Sequence, residues 1–509
     1  MNLLKPIDDF LNRITMYRLV VWYLVGLLLV AFVYSVFGVL PYNPLAIVYS
    51  ATFLVAVSWL ANTIFAHFFE TPPSGESSYI TGLILALIIT PMLPQQNILF
   101  LLVVGVLAMA SKYVLAFRQK HIFNPAAIAV VLTGLFAGQP ATWWVAGTLS
   151  MMPFVVLGGF LVVRKIQRFD LVFSFLGTAT VSVVFGSYVS GLGDPMTSFW
   201  SMVTHSPIFF LAAVMLTEPL TAPPRRWSRV VYGALVGALF PSWVNVGGFF
   251  LTPELALSIG NVFSYFATPN ANAVLTLKRV EKLANDTHEF IFETSRRFAF
   301  KPGQYAEWTV EHDPFDNRGN RRYFTIASSP SDSLVRVGVK FYPNSSSFKH
   351  ALADTPIGGK MKLGGLAGDF TLPNNPKKKI AFIAGGIGIT PFRSMVAHVA
   401  DMKETRDMVL LYSNKSEQEV AYREFFDTIG RHAGLKTVYV LSNKDAHPFP
   451  GAVIGMITPD MIAKEVPDYR ERTFYISGPK GMVDAFTHSL RDMGVPRSHI
   501  KSDFFPGYA

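Results

Sequence analysis

The chain has 509 residues, 51% of them hydrophobic and only 15% charged, with a formal net charge of +10. It contains no cysteine, which excludes disulfides, thiolate-held iron–sulfur clusters, thioether-attached haem and cysteine-based zinc sites. The hydrophobic residues crowd into the first half, so composition alone describes a membrane portion followed by a soluble one.

From Tyr17 to about Phe266 the sequence predicts ten apolar spans, near 17–38, 45–68, 79–93, 97–116, 124–138, 142–163, 170–192, 199–216, 229–245 and 252–266. Two of them, 79–93 and 124–138, are short, which predicts tilted or broken helices. The positive charges sort by loop. Lys5, Arg13 and Arg18 precede span one, and Lys112, Arg118 and Lys120 lie between four and five. Arg164, Lys165 and Arg168 lie between six and seven, and Arg225, Arg226 and Arg229 between eight and nine. By the positive-inside rule both termini are expected in the cytoplasm, on a multi-pass protein of the cell (inner) membrane. This topology accounts for the basic charge of the first half without nucleic acid. The acids Glu70, Asp170, Asp194, Glu218 and Glu254 fall near span ends, which leaves no midplane relay. His67, His121 and His205 do not form the facing pairs of a bis-haem domain.

Three stretches depart from membrane filler: SYITGLILALIITP (78–91), HIFNPAA (121–127) and LTEPLTAPP (216–224). Proline-broken helix ends of this kind line cavities at membrane depth. Together they make residues 15–266 resemble the family of the D subunit of Rnf-type electron-transport complexes and the B subunit of sodium-translocating NADH:quinone reductases. The resemblance implies FMN or riboflavin in the membrane domain, with one FMN of the family esterified to a threonine of an S-x-A-T motif. Thr142, in AGQPATWW (137–144), stands at the matching place, but the Asp and Ser that precede the A-T pair are missing. Thr142 is then expected to cap span six. A non-covalent flavin is expected instead in a cavity bordered by Asn124, Pro125, Thr217, Glu218 and Pro219.

After about residue 269 the pattern becomes short alternating strands, EFIFET (289–294), KPGQYAEWTV (301–310), RYFTIASS and LVRVGVKFY (334–342), which predict an antiparallel barrel to residue 375. From 376 the order is strand, glycine turn, helix. IAFIAGGIGITPFRSMVAHVA (380–400) leads into strands at 407–414, 436–443 and 472–479, an open parallel α/β sheet. GGIGITP (385–391) lets backbone N–H groups approach a pyrophosphate at a helix start. ISGPKGM (476–482), at a later strand end, makes the opposite wall. The predicted domains are therefore 1–268, 269–375 and 376–509.

Residues 270–508 resemble the ferredoxin–NADP⁺ reductase superfamily, which implies an FAD barrel followed by an NAD(P) domain. RRYFTIASSP (321–330) matches the flavin motif R-x-[YF]-[ST]. By that resemblance Arg322 holds the FAD pyrophosphate, Phe324 stacks on the flavin and Thr325 hydrogen-bonds near N5. Such chemistry suits a guanidinium, an aromatic face and a hydroxyl. Tyr323, Lys340 and Ser347 join the candidate FAD contacts, with Asn344 where a glycine is usual. Gly385, Gly386, Gly388, Thr390, Pro391, Gly478 and Pro479 are the candidate nucleotide contacts. Ser477 stands where relatives carry a cysteine near the nicotinamide, and it joins Thr325 as a candidate catalytic residue. In the C-terminal DFFPGY the covering aromatic is Phe505, with Phe504 and Tyr508 as alternatives. Lys415 and Arg423 could read a 2′-phosphate, and Glu417 or Glu419 a ribose diol. NADH is favoured because no compact arginine cluster appears. The expected function is a membrane-bound flavoprotein passing electrons from NAD(P)H through FAD to a membrane flavin, then to a quinone or an extracytoplasmic redox partner. The alternatives are a haem-type ferric or superoxide-forming reductase and a transporter with a regulatory flavin domain.

Overall fold

A computed structural model describes residues 5–12, 14–69, 75–117, 120–191, 194–241, 245–246, 249–268, 273–296, 298–312, 320–343, 345–443, 445 and 448–505. The chain divides into two compact units, Met1–Thr268 and Pro269–Ala509.

The first unit is helical. Its helices are α1 (Lys5–Asn12), α2 (Met16–Val36), α3 (Pro44–Phe68), α4 (Gly75–Ile88), α5 (Pro94–Val114), α6 (Pro125–Ala137), α7 (Met152–Ile166), α8 (Phe169–Ser190), α9 (Pro195–His205), α10 (Ile208–Met215), α11 (Arg226–Leu239) and α12 (Pro253–Ala267). Two-residue ribbons pair β1 (Ala116–Phe117) with β2 (Lys120–His121) and β3 (Asn245–Val246) with β4 (Phe249–Phe250). Four helices open on a polar cap followed by proline. Asn43, Asn124, Asp194 and Thr252 each accept a backbone N–H while Pro44, Pro125, Pro195 and Pro253 preset the first turn.

Among the described residues four helices, α2, α3, α5 and α8, are long and apolar enough to cross a membrane, and the pair α9–α10, bent by 62°, makes a fifth if counted as one span. Each of the ten predicted segments contains a helix. Several, however, fall short of the roughly 20 residues a bilayer needs: α4 has 14, α6 has 13 and α11 has 14. Residues 142–151 form turns and irregular backbone, so the helix of the sixth predicted span, α7, starts at Met152 rather than at residue 142. Basic side chains gather where α1, the α7–α8 turn and the segment before α11 meet. Arg164 grips Asp8 at 2.8 and 2.9 Å, Arg229 pairs with Asp170 at 2.7 Å, and Arg168 donates to the Pro223 carbonyl.

The second unit joins two sheets. β5 (Ala273–Ala284), β6 (Thr287–Thr294), β7 (Tyr305–Thr309), β8 (Arg321–Thr325), β9 (Leu334–Lys340) and β10 (Lys360–Ala367) form an antiparallel sheet in the order β8-β7-β10-β5-β6-β9. Just past β8, the Ala327 N–H donates to Arg336 of β9 at 2.8 Å, so the two edges meet. Alternating inward residues, among them Phe290, Phe292, Trp308, Val337 and Val339, fill its core, and α13 (Ser347–Ala353) adds Phe348 and Leu352.

The parallel sheet contains β11 (Ile380–Gly385), β12 (Met408–Asn414), β13 (Leu435–Leu441), β14 (Ala452–Ile454), β15 (Thr473–Pro479) and β16 (Ile500–Phe505), in the order β14-β13-β12-β11-β15-β16. Helices α14 (Thr390–Asp401), α15 (Arg423–Phe425), α16 (Pro459–Glu465) and α17 (Lys480–Asp492) connect the strands.

Candidate functional site

Every residue of β11 is buried, as in a central parallel strand covered on both faces. From β11 the chain builds outward through β12, β13 and β14, then returns to add β15 and β16 on the other side. The carboxyl ends of β11 and β15 thus flank the switch point at which open α/β sheets bind their ligands. Ala384 lies opposite Ser477 there, and Pro479 opposite Phe505.

The turn leaving β11 requires its glycines. Gly386 has φ +52°, and a Cβ on Gly388 would stand 2.4 Å from the Ser477 carbonyl oxygen and 2.8 Å from Gly478 Cα. This bare backbone leads into α14, where Pro391 occupies the first turn and the Thr390 hydroxyl donates to the Ile387 carbonyl at 3.2 Å. A helix start preceded by glycines suits an anionic pyrophosphate.

The two hydroxyls expected to be catalytic, Ser477 Oγ and Thr325 Oγ1, are both buried and have no hydrogen-bond partner among the described residues. An unmatched buried hydroxyl costs about 1–3 kcal/mol, so both fit a bound group that supplies the missing partner. The segment that follows Thr325 is tied to α14, the helix that leaves the glycine turn. Arg393 and Ser394 of α14 donate to the Ala327 and Ser328 carbonyls just past β8, at 2.8 and 2.7 Å.

On β8 the strand period separates the candidate FAD contacts. Arg322 and Phe324 share a face and both meet Phe348. The guanidinium lies 5.5 Å from that ring's centre and the Phe324 ring 5.7 Å from it. Tyr323 is on the opposite face, half-exposed, donating to Glu307 at 2.9 Å and packing edge-on against Tyr305. Ser347, at the start of α13, is 3.0 Å from His312 Nε2, and both border an open cleft of about 670 Å³ that also touches His350, Asp354 and Lys360. Lys340 is committed to Glu419 at 2.8 Å, a pairing that joins β9 to the turn after β12. Asn344 and Tyr508 lie outside the described residues. Phe505 is placed as backbone in β16, its side chain outside them.

Sequence reasoning missed the polar seam between the sheets. Buried Glu289 of β6 receives Arg336 at 2.7 Å and the Tyr422 hydroxyl at 2.9 Å. Burial pushes the Tyr422 hydroxyl well above its usual range, so it stays protonated and donates. Burial works against the charge on Arg336, but the Glu289 carboxylate holds its pKa above the ordinary value. These partners lie far apart in sequence, and no local pattern announces them.

In the helical unit Asn124, Pro125 and Glu218 do come together. Asn124 Nδ2 donates to Glu218 at 2.9 Å, Thr221 donates to the same oxygen, and the Asn124 N–H is held by Asn261. Thr217 turns away, its hydroxyl bonded to the Ala213 carbonyl at 2.7 Å. The cavity that Asn124, Pro125 and Glu218 border is about 40 Å³, space for a water against the several hundred Å³ of a cofactor pocket. A flavin does not fit there. Thr142 is not the cap of α7. Its N–H and hydroxyl both donate to the Ile88 carbonyl, at 2.8 and 3.2 Å, and thereby finish α4. Trp143 follows with φ +51° and donates its indole N–H to buried Glu254 at 3.1 Å.

Residues 382–488 match the family described as "Oxidoreductase NAD-binding domain". A flavohemoprotein of Pseudomonas putida is 27% identical over 206 residues, 40% of this chain and 51% of that protein. The glycine betaine monooxygenase reductase subunit of Chromohalobacter salexigens is 28% identical over 211 residues, 41% of this chain and 56% of that one. The solved FAD/NAD-binding domain of a nitric oxide dioxygenase from Vibrio cholerae aligns with 46% of this chain and 98% of its own, at 19% identity and a TM-score of 0.42. The chain spans about half the length of the curated relatives it matches. The residues that build the switch point thus lie within the stretch, 382–488, that is similar to an oxidoreductase NAD-binding domain.

Proposed function

We propose that the protein takes electrons from NAD(P)H through FAD in its C-terminal unit, delivers them to the helical unit in the bilayer, and passes them to a quinone or an extracytoplasmic redox partner. One observation carries the reading. A single chain holds a switch-point crevice with the unmatched Ser477 hydroxyl, a second sheet with the unmatched Thr325 hydroxyl, and a unit with four membrane-length apolar helices.

FAD, when bound, converts the two-electron donation of a nicotinamide into one-electron transfers. Arg322 supplies the cation for its pyrophosphate, and Phe324, on the same face, supplies an aromatic wall. The Thr325 hydroxyl is the donor placed at the reacting edge. Gly386 and Gly388 admit the nucleotide backbone, and the Ser477 hydroxyl positions the nicotinamide from the opposite wall.

Both termini are read as cytoplasmic, and the gathering of Arg164, Arg168 and Arg229 at one end of the helical unit supports this. FMN or riboflavin in that unit rests on the resemblance to the Rnf and sodium-pumping reductase subunits. The Asn124–Glu218 cleft is too small for it, so no transfer step is assigned there. Flavin extraction before and after acid precipitation tests the reading. FMN or riboflavin accompanying FAD supports the membrane flavin, whereas FAD alone, one per chain, rules it out.

A further inference from the structure

We propose that the coenzyme is NADH, and that Arg423, the arginine placed to read a 2′-phosphate, is neutralised by Glu417 and Asp427 so that NADPH is turned away. The inference rests on the reading that the switch-point crevice takes NAD(P)H.

A dinucleotide seated on the glycine turn after β11 extends its adenosine ribose over the end of the neighbouring strand. Sheets of this type read the 2′ position there, with a carboxylate for the ribose diol or an arginine for the phosphate. The neighbouring strand is β12, ending at Asn414. Glu417 and Arg423 lie just beyond it and bind each other. Arg423 Nη1 is 2.7 Å from Glu417 Oε1, and Arg423 Nε is 3.5 Å from Asp427 Oδ2. The guanidinium also stacks 3.5 Å over the Phe449 ring. Asp427 is itself fixed by the Tyr439 hydroxyl at 2.8 Å.

The segment carrying these groups is held at several points. Lys340 of β9 takes Glu419, the Asn285 N–H takes the Gln418 carbonyl, and Glu289 takes the Tyr422 hydroxyl. Tyr422 has φ +59°, a conformation that a bulky residue adopts only when its surroundings impose it. Arg423 therefore starts from a braced position, its planar fork already turned onto carboxylates.

The strength of the ion pair does not carry the argument. Arg423 and Glu417 are 35% and 41% exposed, and an exposed pair contributes little. Occupancy of the fork decides instead. Glu417 and Asp427 already hold the Arg423 guanidinium and balance it together with Lys415, the other cation just beyond β12, so a 2′-phosphate must displace a carboxylate, whereas a ribose diol finds carboxylate acceptors in place. Removing one carboxylate leaves the site positive and frees part of the fork, and a guanidinium engages phosphate in a bidentate manner.

The test is steady-state oxidation of NADH and NADPH by the full-length protein in detergent, with ferricyanide as acceptor, for wild type, Glu417→Gln and Asp427→Asn, each checked for FAD content. The wild type should favour NADH in kcat/KM. Each variant should lower the NADH:NADPH ratio by roughly tenfold, about what one charge-assisted contact provides, chiefly through a lower KM for NADPH. Adding Arg423→Ala to Glu417→Gln should cancel the gain. Wild-type preference for NADPH, or ratios unmoved in both variants while NADH is still oxidised, overturns this inference alone. FAD-loaded wild type that oxidises neither coenzyme overturns the reading of the crevice, and this inference with it.

Discussion

Gly388→Ala is the most demanding probe of the nucleotide crevice. The added Cβ would sit 2.4 Å from the Ser477 carbonyl oxygen, 2.6 Å from its carbon and 2.8 Å from Gly478 Cα, where ordinary contact begins at 3.4 Å. All three are backbone atoms of β15, which pairs with β11 from Thr473 to Ser477, so none can rotate aside. The turn and the strand end must separate by about an ångström. Overpacking of this kind costs about 1–3 kcal/mol, and for a unit of this size each kcal/mol lowers Tm by about 2–4 °C. A fall of roughly 3–10 °C is expected by thermal unfolding. The displaced wall carries Ser477, Gly478 and Pro479, so kcat/KM for NADH should fall by at least about tenfold, with FAD content retained. Gly386→Ala is the control. Its φ of +52° carries a conformational cost of about 1–2 kcal/mol, but nothing lies within 4 Å of the new Cβ, so its Tm should fall only by what that conformation costs. A Gly388→Ala protein with wild-type Tm and kcat/KM, or a Gly386→Ala protein damaged more severely, would refute the reasoning.

Arg322→Ala should strip FAD during purification, since a hydrogen bond to a charged group contributes about 1.5–3 kcal/mol; a fully loaded variant counts against the pyrophosphate assignment. Thr142→Ala should cost about 0.5–1.5 kcal/mol by freeing the end of α4 and leave flavin content unchanged; loss of an acid-resistant flavin would show that the threonine carries one. Asp468 should contribute acid sensitivity. Its hydrogen bond from Arg472 lowers its pKa from 3.8 to about 2. Because the folded value is the lower one, its stabilisation is present above the unfolded pKa and disappears as pH falls through the folded one. Unfolding midpoints measured downward from about pH 4 should therefore drop more steeply for wild type than for Asp468→Asn; parallel curves would refute this.

The fold of the C-terminal unit was largely legible because its signals are local. Apolar runs ending in glycine locate β11 and β15, and alternation locates β6 and β9. Strand β10 escaped, since Gly364 and Gly365 interrupt the run Lys360–Ala367 and weaken any strand pattern. The register of β8 follows from its period. Which face meets the barrel core depends on Phe348, brought in by a helix beginning at Ser347, and this placed Tyr323 away from Arg322. Lys340 reads in sequence as a candidate FAD contact; its partner Glu419 lies in the turn after β12, 79 residues later. Thr142 looked like a helix cap because an apolar run follows it. It caps a helix instead at Ile88, 54 residues earlier. The pairing of HIFNPAA with LTEPLTAPP is visible in the Asn124–Glu218 bond, but their separation is a property of packing, and it leaves room for water only.

An anaerobic titration of the full-length protein with NADH, followed by addition of a water-soluble quinone, tests the central claim most directly. The bound flavin should bleach as NADH is added and recover its oxidised absorbance when the quinone arrives, with NAD⁺ formed in proportion. A bound flavin that stays oxidised in excess NADH, or one that bleaches and never returns its electrons to any quinone or added redox partner, would contradict the account.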